Sequence, residues 1–323
     1  MFKAAVIGLG AVAPMHLKSL EATGVKLAAV CDKNILTGFD CPVFSDYKKM
    51  LAAGGFDVLH ICLPHFLHAE VAVAALERGI HVLCEKPPAT TVADAEKMHE
   101  AAKKHDAFLS VVFQNRFSPG AILIKKNLHA LGAVKSGFLR VNWNRGDDYY
   151  SSGDWRGKLA TEGGGVLINQ SIHTFDLVNF FLGDFCEISA AIANRAHPKI
   201  EVEDVAEGII TYKNGAKISF FVNTYHPYDA PATIELICEN GRAQIIGEDA
   251  TIFFSDGQKI TAGADVDAQR RFGMKSYWGV SHVKQIQAFY DAITAGIAPQ
   301  PDGAEWLRTQ RLINGIYDAA RCV

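Results

Sequence analysis

The sequence places an acid and a base directly after a short apolar run, in Val82-Leu83-Cys84-Glu85-Lys86-Pro87-Pro88. Residues 80–84 are short and β-rich enough for a buried strand, and the two prolines cannot continue a sheet ladder. Lys86 is therefore expected at the carboxyl end of a strand, where open parallel sheets bind their ligands. A lysine in that position can stabilise a developing oxyanion or, once partly desolvated, exchange a proton.

A second group of polar residues follows a glycine run, in Gly163-Gly164-Gly165-Val166-Leu167-Ile168-Asn169-Gln170-Ser171-Ile172-His173-Thr174-Phe175-Asp176, and the apolar pattern continues until Gly183. Spacings of four and three place Asn169, His173 and Asp176 along one stripe of the predicted helix. Such a stripe is either a satisfied buried network or a binding surface. The preceding loop favours a substrate site, because its side chains bond hydroxyls and stack on sugar faces. The loop residues concerned are Asp147, Tyr149, Tyr150, Asp154, Trp155 and Arg156.

The amino-terminal residues fit a dinucleotide-binding turn. Residues 4–7 are predicted as a strand and residues 14–21 as a helix, and between them Gly8-Leu9-Gly10-Ala11-Val12-Ala13 supplies the pattern G-x-G-x-x-A. Gly8 allows the tight turn, Gly10 lets the backbone approach a pyrophosphate, and Ala13 allows close packing of helix on strand. The pattern carries meaning here because it stands between a strand and a helix.

An acid follows the second predicted strand, residues 26–31, about twenty residues after these glycines. Asp32 is placed to bond the adenosine ribose hydroxyls and to repel a 2′-phosphate, which predicts NAD over NADP. The alternative is a surface turn acid beside Lys33, which could itself weaken the discrimination.

Histidines and a cysteine cluster near the third strand of this alternation, at His60, Cys62, His65 and His68. His60 and Cys62 share a strand, and no second ligand pair follows at a metal-finger spacing. We therefore predict no metal, and a buried or cofactor-facing role for His65 and His68.

The elements that must position these residues divide the chain into two predicted domains. Strands and helices alternate through residues 1–118, which indicates a doubly wound parallel sheet. The alternation stops near Ser118-Pro119-Gly120, and residues 119–323 read as a connecting helix, mainly antiparallel short strands and two carboxyl-terminal helices over 281–296 and 303–322. His282 opens the first of these helices, as a polar helix start or as a pocket residue.

Composition excludes several classes of function. The chain has 323 residues and a formal charge of -3, without the basic excess that nucleic acids or anionic membranes require. Seven scattered cysteines without a C-x-x-C pair favour reduced thiols in a cytoplasm. Only four apolar residues separate Lys3 from Gly8, too few for a signal-peptide core, so we expect a soluble, intracellular protein.

Together these motifs resemble the Gfo/Idh/MocA family of NAD(P)-dependent oxidoreductases, along essentially the whole chain. The resemblance rests on the glycine turn, the run from Leu63-Pro64-His65 through His68 to Pro87, the glycine-helix segment, and Tyr277-Trp278-Gly279 with His282. It implies a Rossmann domain joined to an α/β domain whose open antiparallel sheet often makes dimer or tetramer contacts. It also implies a sugar or cyclitol substrate.

The family's Glu-Lys-Pro lysine matches Lys86, and its helix histidine matches His173. Many members carry aspartate four residues before that histidine, where this chain has Asn169. The run 169–173 is closer to the subgroup that contains UDP-N-acetylglucosaminuronate 3-dehydrogenases. Because an amide cannot act as a carboxylate would, proton handling falls to His173 and Lys86.

These observations predict hydride transfer between NAD and a secondary alcohol, because hydride leaves carbon only as the hydroxyl loses its proton. Lys86 and His173 are the predicted catalytic residues, and which of them takes the proton stays open. Asp176 either orients His173 or packs. The alternatives are a glycoside hydrolase that oxidises its substrate transiently and a regulatory protein that binds dinucleotide without chemistry. The predicted substrate contacts are Asn169, Asp176, Tyr149, Trp155 and Arg156. The predicted cofactor contacts are Gly8, Gly10, Ala11, Val12, Asp32, Pro64, His65, His68, Glu85, Lys86 and Asn115.

Overall fold

The computed structural model describes residues 2–34, 37–263 and 281–322. The predicted motif Tyr277-Trp278-Gly279 lies outside these ranges. The described residues form two compact units: the first takes those of 1–114 and 280–307, the second those of 115–279 and 308–323. The described residues 281–307 lie in the first unit, whereas the sequence prediction grouped them with the second domain.

The elements of the described residues are numbered here in chain order. The strands are β1 (Lys3–Ile7), β2 (Lys26–Cys31), β3 (Val43–Phe44), β4 (Val58–Ile61), β5 (His81–Cys84), β6 (Leu109–Val111), β7 (Val134–Asn142), β8 (Phe185–Ala193), β9 (Val205–Tyr212), β10 (Lys217–Asn223), β11 (Thr233–Cys238), β12 (Gly241–Ile246), β13 (Asp249–Phe254), β14 (Lys259–Ala262) and β15 (Ala320–Cys322). The helices are α1 (Ala13–Thr23), α2 (Tyr47–Ala53), α3 (His65–Leu76), α4 (Val92–Lys104), α5 (Pro119–Leu131), α6 (Asp147–Ser151), α7 (Leu159–Glu162), α8 (Ile172–Leu182), α9 (Ser281–Thr294) and α10 (Gly303–Ala319), with a 3-10 turn at Gln114–Phe117 and a π-helical turn at Val166–Ser171.

Side chains with oxygen acceptors fix the starts of two helices. The Thr91 hydroxyl accepts a hydrogen bond from the backbone N–H of Asp94 at 3.1 Å and begins α4. Ser118 does the same for Ala121 at 3.2 Å, and Pro119 follows it at the first position of α5. The turn residues that mark the predicted domain boundary thus begin a helix.

The first unit contains a parallel sheet whose six described strands lie in the order β3-β2-β1-β4-β5-β6. Helices α1, α3 and α4 connect successive parallel strands, as a doubly wound sheet requires. The order reverses direction at β1, so the crevice between the ends of β1 and β4 is the expected ligand position. The predicted Rossmann architecture is confirmed.

The register of this sheet aligns the carboxyl ends of its central strands. Ile7 pairs with Cys31 and with Ile61, and Ile61 pairs with Cys84. Gly8, Asp32 and Glu85 directly follow three of these residues. The glycine turn, the acid after β2 and the Glu85-Lys86 pair therefore lie on the same edge of the sheet.

Helix α9 completes the core of the first unit from far along the chain. Its buried residues Ile286, Phe289 and Ile293 pack in one cluster with Ala13 and Leu20 of α1. The face of α1 that does not pack on the parallel sheet is thus buried by a helix more than 250 residues away in sequence.

The second unit contains a nine-stranded sheet, counted over the described residues, in the order β14-β13-β12-β11-β7-β10-β9-β8-β15. Neighbours are antiparallel except at β7/β10 and β8/β15, which are parallel. Helices α5 and α8 pack on one face, where Leu139, Ile210 and Phe220 are buried. The predicted open, mainly antiparallel sheet is confirmed.

Two stretches differ from the sequence prediction. The last strand predicted from the sequence covers residues 242–246, but the sheet continues beyond it: β13 pairs with β12, and β14 pairs with β13. The last helix was expected to reach Cys322, but it ends at Ala319, and Ala320–Cys322 pairs in parallel with β8. Pairing with a strand so distant in sequence leaves no local signal in a three-residue segment.

Candidate functional site

The glycine turn requires its first glycine. Gly8 has a φ of +83°, and a Cβ there would lie 2.5 Å from the Cys62 carbonyl oxygen. The same turn contacts the acid after β2, since Asp32 Oδ2 accepts a hydrogen bond from the N–H of Leu9 at 2.7 Å. The carboxylate of Asp32 is therefore held against the glycine turn, where the ribose role needs it.

The second glycine of the turn is not required by protein packing. Gly10 and Ala11 are exposed, and a Cβ on Gly10 would meet no described atom within 4 Å. A bound pyrophosphate would explain the glycine, because the backbone at this position must approach the pyrophosphate closely. Val12 precedes the amino terminus of α1, whose free N–H groups favour anions. These residues fit a dinucleotide.

The turns after β4 and β5 are tied together by His68. Its two ring nitrogens each lie 2.7 Å from a carbonyl oxygen, one of Leu63 and one of Pro87. Burial lowers the pKa of His68, while the two carbonyls act in the opposite direction. Pro64 precedes α3 and the buried His65 begins it, so these predicted cofactor residues and the half-buried Lys86 belong to adjacent turns of one edge.

Glu85 directs its carboxylate into a buried network of histidines. Oε1 lies 2.9 Å from His16 Nε2 and 3.7 Å from His282 Nε2. Burial opposes ionisation, but His16 and His282 outweigh it and hold the pKa of Glu85 well below its usual value. His282 thus faces Glu85 from the start of α9, and Glu85 anchors the backbone that carries Lys86.

The network continues through a second histidine. His16 Nδ1 lies 2.8 Å from His60 Nδ1, and His60 Nε2 lies 2.8 Å from the Tyr290 hydroxyl. Burial, with His16 second, lowers the pKa of His60 well below its usual value, so the ring is neutral. All bonds are satisfied when His16 donates to Glu85, His60 to His16, and Tyr290 to His60.

In the second unit the glycine run leads into a π-helical turn before α8. Gly164 has a φ of +149°, and a Cβ there would lie 2.0 Å from the Tyr317 hydroxyl, so α10 packs where a side chain would otherwise be. The turn Val166–Ser171 winds more widely than an α-helix, which changes the direction of Asn169 relative to Asp176. The predicted single stripe therefore divides into two sets of contacts.

The first set surrounds the Tyr149 hydroxyl. The Asn169 amide nitrogen lies 3.0 Å from this oxygen and 2.5 Å from Glu162 Oε1. Arg156 donates to the same hydroxyl, and its guanidinium lies 4.3 Å from the centre of the Tyr149 ring and 4.4 Å from that of Trp155. The predicted substrate residues Tyr149, Trp155, Arg156 and Asn169 thus form one cluster.

The second set contains Asp176, which is 1% exposed. Its carboxylate accepts two hydrogen bonds from the Arg116 guanidinium, both at 2.7 Å, and one from the Thr309 hydroxyl at 2.8 Å. Both of its oxygens are engaged in this buried pair, which favours packing over the substrate contact that the sequence suggested. His173 is half-buried on the first turn of α8.

A carboxylate from a distant loop holds the start of the π-helical turn. Glu203 accepts hydrogen bonds from the backbone N–H groups of Gly165 at 2.8 Å and Leu167 at 3.0 Å, and from the Tyr317 hydroxyl at 2.8 Å. Burial outweighs these bonds and raises the pKa of Glu203 to about 7. The segment that carries Asn169 and His173 is therefore anchored by a group that changes charge near neutral pH.

We expect Glu203 to make stability depend on pH. Its folded pKa of about 7 exceeds the ordinary value of 4.5, so its contribution is most favourable below pH 4.5 and declines as pH rises to 7. The decline should be on the order of 3 kcal/mol. Urea unfolding from pH 5 to pH 8 should show a smaller decline in Glu203→Gln than in the wild type, with the exposed Glu201→Gln as control. Parallel curves for the wild type and Glu203→Gln would contradict the assignment.

The described ranges contain neither a metal-binding cluster of acidic, His or Cys side chains nor a membrane-spanning helix. No group of three or more His, Cys, Asp or Glu side chains there is arranged to hold a metal ion. No helix within the same ranges is long and apolar enough to cross a membrane.

Asn115, a predicted cofactor contact, lies half-buried in the 3-10 turn after β6.

Sequence reasoning missed several residues of these clusters. Gln170 follows Asn169 directly, but it lies off the α-helical stripe that was used for the prediction. Glu162 precedes the glycine run, and no local pattern indicates that it is buried. His16 follows the glycine pattern by three residues, which was an available signal. Glu203 carried no signal, because its partners lie in distant segments.

Comparison with protein families finds matches along most of the chain. The NAD-binding Rossmann-fold domain of the GFO/IDH/MocA oxidoreductase family matches residues 2–113. The C-terminal domain of the same family matches residues 127–244. The first match contains Gly8, Asp32 and Lys86, and the second contains Tyr149 and His173.

Individual relatives are dehydrogenases of sugars and sugar derivatives. Levoglucosan dehydrogenase of Pseudarthrobacter phenanthrenivorans is 31% identical over 153 residues, which cover 46% of this chain and only 39% of that enzyme. D-apiose dehydrogenase of Rhizobium rhizogenes is 27% identical over 98% of this chain and 95% of its own. The crystal structure of the WlbA dehydrogenase from Bordetella pertussis, in complex with NADH and UDP-GlcNAcA, is 26% identical, covers 98% of this chain and 95% of that one, and superposes with a TM-score of 0.88.

Proposed function

The chain belongs to the GFO/IDH/MocA family of oxidoreductases, and from this premise we propose that it transfers hydride between NAD and a secondary alcohol of a sugar, cyclitol or sugar derivative. It is an NAD(P)-dependent dehydrogenase of CH–OH groups, and NAD is its cofactor. The observation that carries the proposal is the sheet register that brings Gly8, Asp32 and Lys86 to one edge.

Bound at the glycine turn, NAD supplies the hydride acceptor. The protein residues must then stabilise the oxyanion that develops and receive the hydroxyl proton. We assign these tasks to Lys86 and His173, both half-buried. Asn169 is assigned to substrate positioning, because its amide is oriented by Glu162 and Tyr149. Asp176 is assigned to packing, since Arg116 and Thr309 occupy its carboxylate.

Asp32 should determine the preference for NAD. In Asp32→Ala the ribose hydroxyls lose a charged acceptor and a 2′-phosphate is no longer repelled, so the KM for NAD should rise about 10-fold or more. The preference for NAD over NADP, measured as the ratio of kcat/KM values, should fall by at least as much. Asp40→Ala serves as a matched control in the following loop. An unchanged preference would contradict the ribose assignment.

The protein is proposed to act as a cytoplasmic homodimer or homotetramer. The exposed face of the second sheet carries Phe138, Ile209 and Ile237, which are all more than a third exposed and suit contacts between copies. The cysteines whose side chains the structure describes are all free thiols, as a reducing compartment would keep them. Light scattering of the purified protein tests the oligomer.

The decisive experiment is an NAD-reduction screen over cyclitols, aldoses, sugar phosphates and nucleotide sugars, with Lys86→Ala as the blank. Net accumulation of NADH, absent from the blank, is the expected result. A hydrolase that oxidises its substrate transiently would release product while NAD is regenerated. Product without net NADH would therefore overturn the proposal.

A further inference from the structure

The Tyr149 hydroxyl is offered more hydrogen-bond donors than it can accept. Its oxygen lies 3.0 Å from the Asn169 amide nitrogen and 3.1 Å from that of Gln170, and Arg156 donates to it as well. Burial raises the pKa of Tyr149 and Arg156 opposes this, so the group stays a neutral phenol with two lone pairs at most. At least one of the three donors therefore needs another acceptor.

Arg156 is the donor with the most capacity left. A guanidinium carries five N–H groups in a planar fork, and this one is half-buried between the rings of Tyr149 and Trp155. Within the described part of the chain, Arg156 forms no ion pair. Arg145, which also lies over the Tyr149 ring, pairs with Asp229 at 2.8 Å. In contrast to Arg145, Arg156 has no carboxylate of the described residues directly paired with it.

The acids of this cluster are already bonded. Glu162, fully buried, accepts from the Asn169 amide and from the backbone N–H of Gly157. Asp229 is engaged by Arg145 and by the backbone N–H of Asn144. Neither of these two carboxylates is paired with Arg156, so its remaining N–H groups are available to a ligand.

Gln170 gives a second, independent indication of a ligand. It is 4% exposed, and its Oε1 atom has no hydrogen-bond partner among the described residues. Exchanging the oxygen and nitrogen of the amide would leave the same position without a partner. A buried polar atom of this kind is normally bonded by a ligand or water. A ligand hydroxyl can donate to Oε1 beside the surplus donors at Tyr149.

We propose that this cluster recognises a polyol that carries an anionic group, a carboxylate or a phosphate. The fork of Arg156 binds the anion, and Gln170 accepts a hydrogen bond from a hydroxyl of the same molecule. Arginine suits this role because its planar donors match the oxygens of both anions. The inference rests on the proposed function, since it concerns the same substrate site, and it adds the charge of the substrate.

Binding tests the inference without turnover. Isothermal titration calorimetry of the full chain with NADH should show D-glucuronate, D-galacturonate or D-glucose 6-phosphate binding at least about 10-fold tighter than the neutral parents D-glucose and D-galactose. Comparing the two uronates with D-glucose 6-phosphate shows whether the site prefers a carboxylate or a phosphate. Arg156→Gln should remove most of this difference, and Arg140→Gln, an exposed arginine on β7, should retain it. No preference for any of the three anions overturns the proposal.

Kinetics separates this inference from the proposed function. For any pair that reduces NAD, the ratio of kcat/KM for the anionic over the neutral sugar should fall about 10- to 100-fold in Arg156→Gln, mainly through KM. Anion binding that depends on Arg156 without NADH formation would support the inference and contradict the dehydrogenase assignment. If neutral sugars support NADH formation and Arg156→Gln leaves the anionic-to-neutral ratio of kcat/KM unchanged, the dehydrogenase assignment holds and the inference is overturned.

Discussion

Replacing Lys86 with alanine is expected to lower kcat by about a thousandfold or more while the affinity for NAD changes only a few fold. The lysine lies at the carboxyl edge of β5, in line with the glycine turn. Proton transfer and stabilisation of an oxyanion by one positioned group each contribute roughly 100- to 10,000-fold. The glycine turn and Asp32, which do not depend on the ammonium, should still hold NAD.

Two measurements on three variants test this prediction. Steady-state turnover and NADH fluorescence titration separate chemistry from cofactor binding. Lys26→Ala, an exposed lysine at the opposite, amino end of β2, is the matched control and should keep full activity. Lys86→Arg keeps the charge but cannot accept a proton near neutral pH, so substantial turnover in that variant would identify His173 as the proton acceptor. Turnover of Lys86→Ala within 10-fold of the wild type would remove Lys86 from the mechanism.

Asp176→Asn should cost about 3 to 5 kcal/mol of unfolding free energy, a large fraction of the stability of a typical protein. The substitution leaves the Arg116 guanidinium, 5% exposed, without its carboxylate, and weakens the acceptor of Thr309. Removing one member of a buried ion pair destabilises the fold more than replacing both members by apolar residues, because it leaves a buried charge without its counter-charge. The double variant Arg116→Met, Asp176→Leu should therefore recover much of the loss.

Urea unfolding monitored by tryptophan fluorescence measures these differences. Asp184→Asn, at an exposed pair with Arg308, should change stability by less than about 1 kcal/mol and serves as the control. A loss of similar size for Asp176→Asn would contradict the structural assignment. The kinetics of the folded variant decide the question that the sequence left open: an altered pH profile of kcat would indicate that Asp176 orients His173, and an unchanged profile that it packs.

The first unit is the part of the fold that the sequence predicts best. Its signals are local: a strand, a glycine turn, a helix and Asp32 follow one another within about thirty residues. Lys86 could be placed because prolines end β5 and the carboxyl edge of a parallel sheet is shared by its strands. The position of Gly8, Asp32 and Lys86 at this edge was therefore predictable from the sequence.

The second unit was harder to predict, because its contacts join segments that are distant in sequence. The periodicity of an α-helix put Asn169 and Asp176 on one stripe, whereas the π-helical turn gives them different partners. The burial of Glu162 and the position of Glu203 depend on strands and loops far away. Local propensity does not encode such contacts.

The return of α9 to the first unit has a consequence for the order in which the protein is made. When residues 1–114 leave the ribosome, the apolar face of α1 around Ala13 and Leu20 still lacks Ile286 and Phe289. The strands of the second sheet up to β14 emerge before those residues do. The core of the first unit, whose strands are translated first, is thus completed only after most of the second unit has been synthesised. Until α9 packs on α1, this apolar face of the nascent chain is exposed to aggregation.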